Sequence, residues 1–141
     1  MTVEIRKAEP GDAAKLVKLM KLLGHATDIS GTRRRLASLA QEQMPQLVAV
    51  DGDRIVGLCG LNRMTAIHRD VPVGRITILV VSEERRGCGL GHALVAAAEQ
   101  QCRESGCCIV EVTSNDRLTE AHQFYRHLGY QGTSQRFAKM L

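Results

Sequence analysis

Residues Arg86-Gly87-Cys88-Gly89-Leu90-Gly91 put three glycines into six positions. They lie between the apolar run Ile76-Thr77-Ile78-Leu79-Val80-Val81 and the helix-period segment from His92 to Glu99. Glycine reaches left-handed backbone angles without a Cβ clash and lets the main chain come close to a ligand. A helix start adds unpaired N–H groups equivalent to about half a positive charge. Strand, glycine-rich turn and helix in this order make a seat for an anion such as a pyrophosphate.

Composition narrows the class. At 141 residues the chain is long enough for one domain with a real core, and residues 1–141 are expected to form a single domain. With 44% hydrophobic and 24% charged residues it reads as globular. No apolar stretch approaches the roughly 20 residues that a membrane helix requires, and Met1 to Arg6 lacks the apolar centre of a secretory leader. Five cysteines, an odd number without CxxC spacing, argue against a disulfide framework or a metal site and for a reducing cytosol. The net charge of +4 includes Arg33-Arg34-Arg35 and Arg85-Arg86. With only 3% aromatics for base stacking, an anionic cofactor accounts for this excess better than nucleic acid does.

The pattern of the chain predicts a mixed sheet packed by helices, in the order β-α-α-β-β-β-α-β-α-β. Val3 to Arg6 alternates as a strand. Pro10-Gly11-Asp12 starts a helix with Ala13, Leu16, Val17, Met20 and Leu23 on one side, and Ser30 caps a second carrying Leu36, Leu39 and Ala40. Asp51-Gly52-Asp53 joins Leu47–Val50 to Ile55–Leu61 as a hairpin. Asn62 to Gly74 reads as a polar connection before a strand from Arg75 to Val81. Leu90, Leu94, Ala97, Ala98 and Cys102 form one stripe of the helix after the glycines. A strand over Cys107–Val112, a helix over Arg117–Leu128 stopped by Gly129, and a closing strand over Phe137–Leu141 complete the expectation.

Three phosphate-loop patterns compete for the glycines. A Walker loop needs Lys-Ser/Thr after its last glycine, where this chain has His92-Ala93. A GxGxxG dinucleotide turn starting at Gly87 needs glycine at His92 and must follow its strand directly, whereas Ser82 to Arg85 intervene. The third pattern is Arg/Gln-x-x-Gly-x-Gly, matched by Arg86, Gly89 and Gly91. Together with Phe124-Tyr125-Arg126-His127-Leu128-Gly129-Tyr130 further on, it closely resembles the acyl-CoA loop of the GNAT N-acyltransferase superfamily. That resemblance covers essentially the whole chain. Ala121-His122-Gln123-Phe124-Tyr125 and Arg136-Phe137-Ala138-Lys139 look most like the small-amine branch, which includes the aminoalkylphosphonate N-acetyltransferases.

The resemblance implies an α/β (α+β) GNAT fold with about four helices, and transfer of an acetyl group from acetyl-CoA directly to a primary amine. The backbone around Arg86, Gly87, Cys88, Gly89, Leu90, Gly91 and His92 would hold the pyrophosphate. Leu79-Val80-Val81 would offer main-chain groups to the pantetheine arm, and the Val81 N–H would polarise the thioester carbonyl. Tyr125 would be the general acid, since its ordinary pKa of about 10 keeps the phenol protonated. Relatives often carry a glutamate on the strand before the loop, where this chain has Arg75, Thr77 and Ile78. Glu111, His68 or an ordered water chain would then accept the amine proton. Asn115 would stand in for a pantetheine-contacting asparagine whose position is Leu118 here, or else cap the helix that follows. Cys88 lies where a positive field would activate a thiol facing outward. His25, Asp28, His68, Arg69 and Asp70 would line the acceptor pocket, their mixed signs suiting a small amine with a second charged group. A peptide N-terminus or lysine is an alternative acceptor, and a non-catalytic CoA-binding module is the rival class. Dimers are common among such relatives, so a homodimer is a further expectation.

Overall fold

A computed structural model of the chain describes residues 2–42 and 44–141; Met1, which opens the N-terminal alternation, and Gln43 lie outside the described residues. Five strands form one sheet in the order β1 (Glu4–Lys7), β2 (Leu47–Asp51), β3 (Arg54–Met64), β4 (Val73–Val81) and β5 (Val110–Val112). Neighbours are antiparallel except β4 and β5, which run parallel. The helices are α1 (Ala13–Lys21), α2 (Ile29–Gln41), α3 (Leu90–Glu104) and α4 (Thr119–His127). None of the helices described is long and apolar enough to cross a membrane.

Side-chain alternation divides the core between the two faces of the sheet. Leu16 and Leu19 of α1 and Leu36 of α2 pack with Val48, Leu58 and Val80. Leu90, Leu94, Val95, Ala98 and Cys102 of α3 pack with Ala49, Val56, Cys59, Leu61 and Ile76, and Phe124 and Tyr130 lie against that cluster. Burial of each large aliphatic side chain contributes about 1.5–3 kcal/mol. The approach of α3 is close. A Cβ on Gly74 would lie 2.5 Å from Cys102 Sγ, so only glycine lets helix and strand meet there.

Several boundaries differ from the sequence expectation, each for a local reason. Asp28, not Ser30, caps α2; the Thr32 N–H closes the turn on the Asp28 carbonyl, and the Ser30 hydroxyl donates to Asp28 Oδ2 at 3.1 Å. Leu23 lies beyond α1 and is 44% exposed, while Leu19 takes the core position. Asn62, Arg63 and Met64 are polar or exposed, yet they continue β3 by pairing with Arg75, Gly74 and Val73, since a ladder needs only backbone. Cys107 is drawn into the end of α3, its N–H bonded to the Cys102 carbonyl, which leaves β5 only three residues. The expected closing strand over Phe137–Leu141 is corrected: residues 130–141 form neither helix nor strand, and this segment pairs with none of the five strands.

Candidate active site

A bulge in β4 opens the sheet. Gly60 pairs with Ile78 and Leu61 with Ile76, so Thr77 is an extra residue. Both Thr77 Oγ1 and Ile78 Cγ2 would sit 2.6 Å from a Cβ on Gly60, which is why glycine stands opposite the bulge. Pairing of β4 with β5 runs from Gly74 to Ile76 and stops there. The Ser82 N–H donates to the Val56 carbonyl of β3, so alternation turns the main-chain groups of Leu79 and Val81 to the opposite, unpaired edge. A cleft with free N–H and C=O groups results.

The glycine turn lies at the end of this edge. The segment Glu83–Arg85 makes one 3-10 turn, fixed by ion pairs of Arg85 with Asp51 and Arg54 with Glu84. Arg85 is therefore an anchor, while Arg86 is exposed. Gly87 and Gly89 both have φ +79°, and nothing lies within 4 Å of where their Cβ atoms would be. Gly89 is the N-cap of α3, and the Ala93 N–H is bonded back to its carbonyl. The N–H groups of Leu90, Gly91 and His92 precede that bond and face the turn without helical partners. Open space, left-handed glycines and free amides at the start of a 15-residue helix fit a diphosphate. A Cβ on Gly91 would lie 3.3 Å from Phe124 Cζ, so the third glycine seats α4 against α3.

Phe124 meets Tyr125 edge-on with centroids 5.2 Å apart, and Tyr125 meets Tyr130 at 5.8 Å. Burial, and next to it the Cys59 thiol, push the Tyr125 phenol up to about 12. Among the described residues its hydroxyl has no hydrogen-bond partner. The Tyr130 hydroxyl donates to Glu99 Oε2 at 2.9 Å. Neither Glu99 nor Tyr130 was singled out from the sequence as part of the site. Glu99 carries no motif, and only the fold brings its turn of α3 under Tyr130.

Other sequence-selected residues are distributed unequally. Glu111 sits beside Arg75 in the parallel register, its Oε1 accepting from Arg75 Nε at 2.9 Å and Nη2 at 2.5 Å. His68 is exposed in the connection 65–72, beside Ile67, which projects fully into solvent. Asn115 Oδ1 accepts the Arg117 N–H at 3.0 Å, closing a turn before α4, so that side chain is occupied locally. Cys88 is exposed, with its Sγ 3.9 Å from the Arg86 carbonyl. An open cavity of about 600 Å³ lies at the α1–α2 loop, lined by Ala26, Thr27, Asp28 and Arg35. Of the residues expected to line the acceptor pocket, only Asp28 lines this cavity. A second cavity, of about 470 Å³, lies against α1; its Lys15 is bonded to the Asp53 carbonyl and its Arg54 to Glu84.

Comparison with known proteins finds acetyltransferases. The chain is 30% identical over 140 residues to an aminoalkylphosphonate N-acetyltransferase of Salmonella typhimurium, covering 98% of this chain and 91% of that protein. It is 31% identical over 140 residues to an aminoglycoside N(6')-acetyltransferase type 1 of Stenotrophomonas maltophilia, covering 92% and 86%. The solved structure of AAC(6')-Iy in complex with the bisubstrate analogue CoA-S-monomethyl-acetylneamine has the same fold, with TM-score 0.85 at 16% identity over 100% of this chain and 99% of that one. The profile of the acetyltransferase (GNAT) family matches residues 18–130, and the chain belongs to that family.

Proposed function

We propose that residues 1–141 act as one acetyl-CoA-dependent N-acetyltransferase domain whose acceptor is a small primary amine carrying an acidic group. Family membership makes the chain an N-acetyltransferase of amines; the donor and the acceptor are our reading. The observation that carries it is the glycine turn, open around Gly87 and Gly89, at the end of the unpaired edge of β4.

When bound, acetyl-CoA supplies an activated thioester carbonyl. The amides of Gly87 to His92, with Arg86 alongside, hold the diphosphate, each charge-assisted bond being worth about 1.5–3 kcal/mol. Main-chain groups of Leu79 and Val81 pair with the pantetheine arm as with an added strand, Val80 anchoring the strand from behind. The Val81 N–H donates to the carbonyl oxygen as it gains negative charge. Attack by the neutral amine forms the C–N bond and breaks the C–S bond, and the amine proton leaves through water.

Tyr125 would be the residue that meets the departing sulfur. Burial holds its phenol up to about 12, so it stays protonated and can donate to the thiolate as it departs. Glu111 is held by Arg75 and His68 is exposed, which favours water as the proton acceptor. Asp28 and Arg35 give the α1–α2 cavity both signs of charge, one for the ammonium end and one for the acidic end of an acceptor. The aminoalkylphosphonate acetyltransferase relative supports that class. We further take the working form to be a homodimer in a reducing cytosol, where the five free thiols are at home.

The test is thiol release from acetyl-CoA with aminoalkylphosphonates, aminoglycosides, simple amines and lysyl peptides as acceptors. The reading expects release that depends on the amine and is fastest with the acidic small amines. Heat of acetyl-CoA binding without amine-dependent release would make the chain a binding module. Preference for lysyl peptides would overturn the acceptor class.

A further inference from the structure

The positive surplus of the chain is confined to one part of the fold. Between Ala13 and Gln41, the span of α1 and α2, stand Lys15, Lys18, Lys21, Arg33, Arg34 and Arg35, with Asp28 as the only carboxylate. The rest of the sequence carries slightly more acid than base, so the net charge of +4 belongs wholly to this pair of helices. All six cations are exposed, and among the described residues none is paired with a carboxylate. Leu16 and Leu19 of α1 share a core cluster with Leu36 of α2, so the charge stands on one side of the sheet.

The glycine turn does not account for this charge. There Arg85 is paired with Asp51 and Arg54 with Glu84, while Glu83 offsets Arg86, so the seat is built from amides. The excess expected around an anionic cofactor lies instead beside the α1–α2 cavity. Arg35 lines that cavity. Arg34 Nη1 reaches the Ser30 hydroxyl at 3.5 Å, and that hydroxyl donates to Asp28, which lines it too. Arg33 precedes Arg34 in the same turn of α2. A concave site under charge of one sign concentrates ligands of the opposite sign, and added salt weakens the effect.

We propose that Arg33 and Arg34 are specificity residues that gather acceptors bearing a negative group into the α1–α2 cavity, through their field and without touching the reacting atoms. This rests on the reading of the acceptor as an acidic amine and adds what selects it. The field discriminates by charge, so it favours an acidic amine over one of the same length that lacks the acid. It disfavours acceptors with several ammonium groups, such as polyamines. Both effects act on acceptor capture, hence on KM, and leave the chemical step alone.

The test is acceptor kinetics by thiol release from acetyl-CoA, with 2-aminoethylphosphonate compared against ethanolamine, the same amine without the acid. Each is followed at roughly 20 and 300 mM NaCl, between which the screening length falls from about 20 Å to about 6 Å. Steering predicts that kcat/KM for the phosphonate falls about tenfold over that range, through KM, while ethanolamine stays within about twofold. Arg33→Gln/Arg34→Gln should raise the phosphonate KM about fivefold at low salt, with its kcat and both constants for ethanolamine within about twofold. Variant and parent should converge at high salt. Circular dichroism confirms the fold; if the variant does not fold, the salt series on the parent chain decides. Equal salt dependence for the two amines, or a folded variant unchanged at low salt, would overturn the steering alone. A phosphonate that is no acceptor at any salt would overturn the acidic-acceptor reading, and the steering with it.

Discussion

The Tyr130 hydroxyl donates a 2.9 Å hydrogen bond to Glu99 Oε2, tying the segment after α4 to the outer half of α3. Tyr130 in turn packs edge-on against Tyr125 at 5.8 Å, so the carboxylate of one helix sets the ring that borders the proposed hydrogen-bond donor. Burial, and after it the Glu99 bond, raises the Tyr130 phenol well above its ordinary range, which keeps it a donor.

Tyr130→Phe should therefore lower stability by about 1 kcal/mol, read from urea unfolding. It should lower kcat several-fold with little change in KM for acetyl-CoA, because the glycine turn is untouched. Glu99→Gln on its own keeps an acceptor for the Tyr130 hydroxyl and should retain most of both. Equal losses in kcat and cofactor affinity would show instead that the bond supports the whole site.

Tyr125→Phe removes the proposed donor while keeping the ring contacts. We expect kcat to fall about a hundredfold with the Kd for acetyl-CoA within twofold. Since burial holds the phenol up to about 12, the rate should rise with pH as the acceptor amine loses its proton. No falling limb from Tyr125 is expected below about pH 10, two units short of that value. A descending limb near pH 9 that vanishes in Tyr125→Phe would contradict this assignment.

Much of the site was legible because it depends on local backbone chemistry. Gly87 and Gly89 occupy the left-handed angles that glycines favour, and of the expected α3 stripe Leu90, Leu94, Ala98 and Cys102 are buried while Ala97 is half-buried against them. Non-local pairings were not legible. Glu99 and Tyr130 are 31 residues apart, and Arg75 meets Glu111 only through the parallel register of β4 and β5. The bulge at Thr77 that frees Leu79 and Val81 leaves no mark in an apolar run. Phe137–Leu141 has strand chemistry, but a strand also needs a partner, and among the described residues this segment pairs with none.

The assignment of the amine proton to water has a direct check. Glu111→Gln and His68→Ala should each keep kcat within about threefold, with the acidic limb of the pH profile unmoved, since loss of a true general base typically costs a hundredfold or more. Glu111→Gln weakens the bond to Arg75 and should show its main effect in thermal stability. A hundredfold loss confined to one variant would identify that residue as the base.

Acid stability provides a last test, remote from catalysis. Asp12 is buried at the start of α1, where Oδ2 accepts from Arg6 Nη1 at 2.8 Å and from the Glu9 N–H at 2.8 Å, and Oδ1 accepts from Arg6 Nη2 at 3.0 Å. The Arg6 bond, followed by the Glu9 N–H, holds the carboxyl below its ordinary range against the opposing effect of burial. The unfolded chain therefore binds this proton more readily than the folded one. The stabilisation is complete above an unfolded value of about 3.9 and is lost as pH falls through the lower folded value. Asp12→Asn removes the charge while nearly keeping the shape. At pH 7 it should cost about 2 kcal/mol of unfolding free energy. Urea titrations at successively lower pH should show that gap closing below about pH 4. A gap that stays constant into strong acid would mean that packing, rather than the ion pair with Arg6, is what Asp12 contributes.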